Sequence, residues 1–344
     1  MATDLQSRLP IRLGTRGSPL ALAQAHMVRV ALIAKHALAD DDVKLVIVKT
    51  TGDKVQDRPL AEIGGKALWT KELDRALLEN EVDGCVHSMK DVETIRPDSI
   101  GIAAMLPRAP VQDRLIGAAS IDALPHGARI GTSSPRRAAQ LRHIRPDLVP
   151  VTFRGNVATR LAKLDAGEAD ATLLAAAGLL RLGEGAVGAD ISTDLMLPAP
   201  AQGAVGIECR SDDAMMHALL SGIADTPTMD CVLAERALLA GLGGNCHSPI
   251  AALATVENRH LRVRAEIYSE AGEEKFADEA VIPRGDEAAD AFAAVAADGS
   301  TGFAELARLK EAEARAAAND QAGAHTALIG LQGQGGDPIL RDLA

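Results

Sequence analysis

Four loops and one strand end hold the residues of this chain that could do chemistry. GTRGS (14–18), GTSSPRR (131–137) and FRGN (153–156) each leave a strand-like run and enter a helical one. Each combines glycine or small hydroxyl residues with arginine. A helix start presents free backbone N–H groups and the positive end of the helix dipole, so such loops bind anions. Arginine's planar fork adds two parallel hydrogen bonds to a carboxylate or phosphate. One such loop is explained by ordinary capping. Three, in two halves of the chain, point to anion binding in a cleft at strand C-terminal ends. Arg16, Arg136, Arg137, Arg154 and Arg160 exceed what a monoanion needs, so the expected ligand carries several carboxylates or phosphates. Neither GxxxxGK[ST] nor a strand-linked GxGxxG occurs, which disfavours nucleotides. HSMKD (87–91) ends a strand with Lys90 and Asp91 adjacent. An aspartate there could move protons or stabilise a developing cation; the alternative is a solvated strand end. His87 reads as a satisfied core histidine. GLGGNCHSP (241–249) places Cys246 on a glycine-rich loop where another group can approach the backbone closely. The loop alone is equally compatible with a spare thiol on a surface turn.

The elements that must position these residues follow a repeated grammar. Strand-like runs at 11–13, 44–50, 84–89 and 100–106 alternate with helices at 19–37 and 67–80. Ser18 before Pro19 is a cap followed by a first-turn proline. Residues 51–66 read as a long mobile loop. PRAP (107–110) looks like a hinge, after which strands at 114–119, 128–131, 149–153 and 171–175 alternate with helices again. LPAPAQG (197–203) is a second hinge, so the strand 205–209 and helix 212–222 are expected to return to the first domain. This alternation argues for α/β domains with largely parallel sheets. Beyond residue 225 a helix, three strands and alanine-rich helices to about Asn319 suggest an α+β domain. The expected units are 1–106 plus 204–224, 107–203 and 225–320, with a poorly ordered tail at 321–344.

Composition excludes several classes. The chain has 344 residues, 47% apolar, a formal charge of −11 and only 2% aromatic residues. Nucleic-acid binding calls for a basic surface, and single-strand binding for stacking rings. The basic residues are instead concentrated: residues 129–160 hold seven arginines and one acid, Asp147, whereas 266–298 hold ten acids and two basic residues. The apolar runs fall short of the ~20 residues of a membrane span, and the start lacks a secretory pattern. A cytoplasmic protein is expected. The four cysteines form no CxxC pair, which disfavours a disulfide frame or zinc site. Cys85, Cys209 and Cys231 read as small buried apolar residues.

In combination these motifs resemble the porphobilinogen deaminase (hydroxymethylbilane synthase) family. The resemblance runs from Ile11 to Pro249 through TRGSPLA, IGGKALWTKEL, CVHSMKDV, GTSSPRR, RGNVATRLAKLDAGEAD, QGAVGIECR and the cysteine loop, and is looser beyond. It implies two α/β domains similar to type II periplasmic binding proteins, crossed twice by the chain, and a third domain carrying the cysteine. It implies a dipyrromethane cofactor joined to Cys246 by a thioether. Four porphobilinogens are then added head to tail with loss of ammonia, and water releases hydroxymethylbilane. By match to the family motifs, Asp91, Lys90 and Arg16 are catalytic. Ser88, Lys90, Asp91, Thr132, Ser133, Ser134, Arg136, Arg137, Arg154, Gly155, Gln202 and Gly203 hold the cofactor with Cys246. Arg16, Ser18, Lys66, Arg154, Arg160 and Arg181 bind substrate, under a loop containing Gly64–Gly65–Lys66. The implied partner is porphobilinogen alone, with no nucleic acid, membrane or metal, and the expected state is a monomer. Glu93, Ala201, Asn245, Trp69 and Pro135 depart from the usual pattern and bear on loop geometry.

Two other readings compete: a non-catalytic binder of a polyanionic solute, and an enzyme using Cys246 as its nucleophile. For the second, no histidine–acid partner is evident in the sequence, although His247 is adjacent. Intact mass separates the three readings. The purified protein should exceed its sequence mass by two linked pyrrole units, and Cys246→Ser should abolish the excess. Active protein with the bare sequence mass would refute the cofactor.

Overall fold

The computed structural model describes residues 8–49 and 70–284. The expected loop at 51–66 with Lys66, the start of the following helix with Trp69, the alanine-rich helices to Asn319 and the tail lie outside these residues.

Two five-stranded sheets share one plan. The first contains β1 (Ile11–Thr15), β2 (Val43–Ile47), β3 (Gly84–Ser88), β4 (Ile100–Met105) and β10 (Val205–Arg210), in the order β2-β1-β3-β10-β4. The second contains β5 (Asp113–Ile116), β6 (Arg129–Gly131), β7 (Val149–Val151), β8 (Ala171–Ala175) and β9 (Ala189–Asp190), ordered β7-β6-β8-β5-β9. In each sheet three strands run parallel. A strand that arrives across the hinge, β10 or β5, inserts antiparallel beside the third. The first lobe therefore takes its antiparallel strand from the chain's return passage, whereas the second lobe's is its own first strand, and the whole is the two-lobed α/β class expected. The two-residue β9 was not anticipated, being too short to show alternation.

Local chemistry starts the helices that flank these sheets. In α1 (Pro19–His36), Ser18 Oγ accepts from Ala21 N at 3.3 Å. Helix α2 is Lys71–Leu78. In α3 (Pro135–Ile144), Ser134 Oγ accepts from Arg137 N at 3.4 Å. In α4 (Val157–Asp165), Asn156 Oδ1 accepts from Thr159 N at 2.9 Å. These caps satisfy N–H groups that the first helical turn leaves free. Helices α5 (Ala176–Arg181) and α6 (Ala214–Ser221) follow β8 and β10. Separate apolar cores form in the lobes, around Leu13, Val28, Leu32 and Ile207 in the first and Leu115, Ile130, Leu141 and Leu173 in the second. The third domain packs α7 (Thr226–Gly241) through Ala234 and Leu238 on an antiparallel sheet of β11 (Ile250–Glu257), β12 (His260–Tyr268) and β13 (Lys275–Pro283).

Two buried carboxylates stitch these parts together. Glu235 on α7 is fully buried. Its Oε1 accepts from Arg108 Nη1 at 2.8 Å and Ala254 N at 2.7 Å; its Oε2 accepts from Arg108 Nη2 at 2.9 Å and Ala201 N at 2.6 Å. Both crossovers and β11 thus meet on one side chain. Gly203 has φ 86°, and an added Cβ would meet Ala109 O at 2.5 Å, so glycine is required where the crossovers touch.

Ala201 is also left-handed, with φ 63°, and buried. A side chain there costs about 1–2 kcal/mol. Ala201→Gly should therefore raise stability by about 1 kcal/mol, or ~2–4 °C in thermal midpoint. An unchanged or lower midpoint would show that the Glu235 hydrogen bond holds this conformation without strain.

Candidate active site

The first helix start and the end of β3 line one open space, and arginines of the other two helix starts couple electrostatically to Lys90 and Arg160 beside it. Arg16, Ser18, Gln24, His87, Ser88 and Asp91 are among the residues lining a space of about 420 Å³ open to solvent. Gln24 was not singled out from the sequence. It is buried on α1, with Nε2 donating to Ser88 Oγ at 2.8 Å. Its only sequence signal is its place one helical turn beyond Leu20 and Ala21. His87 is buried as expected, 3.3 Å from Glu208 Oε2, although it also reaches the cleft wall.

Electrostatic coupling centres on Asp91, in a short 3-10 turn (Met89–Asp91) that continues β3. Lys90 is lowered to about 8, chiefly by burial. Arg137 and Arg136 push it further down, while Asp91 and Asp113 oppose them. Arg160 falls to about 10 through burial, then through Arg137 and Arg154, with Asp91 opposing. The Cys246 thiol is raised, first by desolvation and next by the Asp91 charge. Asp91 is thus the shared neighbour of the basic residues and the thiol. A thiol raised in this way is not an activated nucleophile.

The arginines divide into two sets. Arg136 and Arg137 are buried and engaged with Asp113 at 2.7–3.1 Å. Arg136 also donates to Gln140 Oε1 and Leu197 O, both at 2.7 Å, and Arg137 to Leu173 O at 3.0 Å. Most of their donors are therefore taken by the protein. Gln202 and Gly203 lie at the hinge: Gln202 Nε2 donates to Val111 O at 2.7 Å and Asp113 Oδ1 at 2.8 Å. Asp113, which organises this group, was missed because nothing local distinguishes it in QDRLI.

The second set has no carboxylate hydrogen bond among the described residues. Arg154 Nη1 and Arg181 Nε are buried without a hydrogen-bond partner among the described residues. Arg181 Nη2 donates only to Gly203 O, at 2.7 Å, and Arg160 Nε only to Gly155 O, at 3.0 Å. Gly155 has φ 113° and no room for a Cβ beside Thr159, so the FRGN turn itself requires glycine. Thr132 and Ser133 brace the same loops, Thr132 Oγ1 accepting from Ser134 N at 3.2 Å and Ser133 Oγ donating to Phe153 O. Buried cations without carboxylate partners are costly unless a ligand supplies them.

Cys246 is exposed, whereas the other three cysteines are buried. Asn245 closes the turn around it: Oδ1 accepts from His247 N at 2.8 Å, and the backbone N donates to Ser248 Oγ at 3.1 Å. This Asx turn explains how asparagine replaces the usual glycine. The loop's glycines have distinct local roles, Gly243 a left-handed turn and Gly244 a close packing contact. Gly243 has φ 60°, and a Cβ on Gly244 would lie 2.6 Å from Leu239 Cδ1 and Ile250 Cδ1. Thr94 Oγ1 donates to Gly244 O at 3.1 Å, and Arg236 on α7 donates to the carbonyls of Val92, Glu93 and Thr94 at 3.3, 2.5 and 3.1 Å. The strap after Asp91 is thereby fastened to the cysteine loop. Glu93 pairs with Arg96 at 3.2 Å, which accommodates its departure from proline.

Fold and site together define a two-lobed α/β protein that concentrates basic residues about Asp91 beside an exposed cysteine. Residues 11–218 match the family model for the porphobilinogen deaminase dipyrromethane cofactor-binding domain, and 229–297 that for the family's C-terminal domain. A porphobilinogen deaminase of Sphingopyxis alaskensis is 59% identical over 279 residues, 79% of this chain and 89% of that protein. One from Paracoccus denitrificans is 54% identical over 284 residues, 81% and 90% respectively. The chain belongs to the porphobilinogen deaminase family. Among solved structures, an ancestral cationic amino acid solute-binding protein has a TM-score of 0.40 at 15% identity, covering 64% of this chain and 90% of its own. The Bordetella pertussis BvgS VFT2 domain has 0.39 at 12%, covering 65% and 91%.

If Arg154 serves a ligand and not the fold, Arg154→Leu should leave thermal stability unchanged or raise it by ~1 kcal/mol. It should also stop cofactor assembly or chain elongation. A stability loss above ~1 kcal/mol with wild-type porphobilinogen kinetics would show that Arg154 is structural.

Proposed function

We propose that this chain deaminates porphobilinogen and joins four molecules head to tail into hydroxymethylbilane, in tetrapyrrole biosynthesis. The observation that carries this reading is that Asp91, in the turn that ends β3 and lines the open space, is the shared neighbour of Lys90, Arg160 and Cys246. Each substrate ring bears an acetate and a propionate, so the bound chain accumulates carboxylates. Arg154 Nη1 and Arg181 Nε, buried without a hydrogen-bond partner among the described residues, suit that charge, as the donor set of a dipyrromethane site requires. When bound, the dipyrromethane on Cys246 supplies the pyrrole carbon to which substrate is joined.

The chain's own residues then bind, orient and balance charge. Arg154, Arg160 and Arg181, with Arg16 and Ser18 across the cleft, hold substrate carboxylates; Lys66, outside the described residues, is assigned the same role. Ser88, Thr132, Ser133, Ser134 and Gly155, with Arg136, Arg137, Gln202 and Gly203 behind them, shape the cofactor wall. Asp91 offers a fixed negative charge to a pyrrole that becomes cationic as ammonia leaves, and accepts a proton from the ring that is joined. Lys90 and Arg16 keep the reacting ring's carboxylates in register with it. Such preorganised charge lowers the barrier because no solvent reorganises during the step. The units 1–106 plus 204–224, 107–203 and 225–320 act as two lobes and a tether domain. The protein works as a cytoplasmic monomer, a reducing compartment suiting its unpaired thiols.

Asp91→Ala should fold with wild-type stability but lose ~10²–10³ or more in kcat with porphobilinogen. Turnover within a few-fold of wild type would remove Asp91 from the mechanism.

A further inference from the structure

Asp113 begins β5, directly after the first crossover, and is fully buried. Its Oδ1 accepts from Arg137 Nη2 at 2.7 Å and Gln202 Nε2 at 2.8 Å. Its Oδ2 accepts from Arg136 Nη2 at 2.8 Å and Arg137 Nε at 3.1 Å. Four donors saturate the two oxygens, leaving no lone pair for a ligand or a transferable proton. Arg136 and Arg137 hold the carboxyl far below the ordinary range despite burial, so it remains an anion throughout working pH.

Its partners reach in three directions. Arg137, in the first turn of α3, couples to Lys90 and Arg160 in the cleft. Gln202 belongs to the return crossover. Arg136 continues through Gln140, whose Nε2 donates to Leu197 O at 3.0 Å and lies 3.4 Å from Glu266 Oε2 on β12. Adjacent guanidiniums repel, and two buried together are strongly unfavourable without a counter-charge. Asp113 is their only carboxylate partner among the described residues.

We propose that Asp113 is a positioning residue of the anion cleft. Its carboxylate locks Arg136 and Arg137 to the hinge residue Gln202 and balances the basic cluster that includes Lys90. The proposal rests on the cleft being an anion site, and adds that this site's charge is set at the hinge. A purely structural Asp113 would change stability alone. A charge-balancing Asp113 also supports the Lys90 ammonium, because removing an anion from the cluster disfavours a nearby cation.

The test reads Lys90 directly, without turnover. Purified protein is treated with limiting acetic anhydride across pH 6–10 (about), and Lys90 acetylation is followed by peptide mass spectrometry. In the wild type the midpoint should lie near about 8. The isosteric Asp113→Asn should shift it down by roughly one pH unit, and the alkaline limb of kcat/KM with it. The charge-compensated Asp113→Asn/Arg136→Met should restore the midpoint. If the single variant does not fold, the double variant decides: a folded protein with a wild-type Lys90 midpoint supports the proposal. An unmoved midpoint in folded Asp113→Asn overturns it, as does a double variant that fails to fold or keeps the shifted midpoint. Were the proposed activity wrong, turnover would be absent but the acetylation midpoints would still report on Asp113.

Discussion

The constraint on which this structure depends is that cations gather around one carboxylate, Asp91, and that among the described residues Arg154, Arg160 and Arg181 make no carboxylate hydrogen bond. Lys90 and Arg160 are both depressed below their ordinary values, first by burial and then by neighbouring arginines. A fold does not lower its own free energy this way. The cost is offset only when a polyanion occupies the cleft, so folding and ligand binding pull on the same residues. The acidity of the rest of the molecule, −11 overall, makes the local excess sharper.

Holding such a cleft open requires rigid walls and a defined hinge. The protein solves both with buried carboxylates that are hydrogen-bonded to saturation. Glu235 fastens the two crossovers to the third domain, and Asp113 fastens them to the second lobe. Removing one partner of such a group strands the rest, which makes these positions more sensitive than their distance from Asp91 suggests. The strap from Val92 to Arg96 works similarly on the other side. Arg236 and Thr94 tie it to α7 and the cysteine loop, so the attachment point and Asp91 belong to one continuous framework.

Departures from the family pattern also find physical accounts here. Asn245 replaces glycine by closing an Asx turn, and Glu93 replaces proline by pairing with Arg96. Ala201 keeps a left-handed backbone that glycine would adopt more easily. Pro135 fits the first turn of α3, where its missing N–H is no loss. None of these changes replaces Asp91, Cys246 or the arginines, although Asn245 shapes the cysteine turn and the Glu93 charge acts on the thiol.

The sequence by itself determined the strand–loop–helix units, their caps, the two crossovers and the candidate anion loops, because each depends on residues a few positions apart. Ser18–Pro19 and Ser134–Pro135 start helices whatever surrounds them. It also marked Cys246 as the accessible thiol. Which arginines remain for a ligand was decided only by tertiary structure. Arg136 and Arg154 look alike in the chain and each keeps one buried nitrogen without a partner, yet only Arg136 is paired with a carboxylate, Asp113, among the described residues. Gln202 and Asp113 meet across 89 residues, and no local pattern reports such a pairing. Coulomb and hydrogen-bond energies depend on distance in space, and in a two-lobed chain that crosses its hinge twice, sequence separation says little about it.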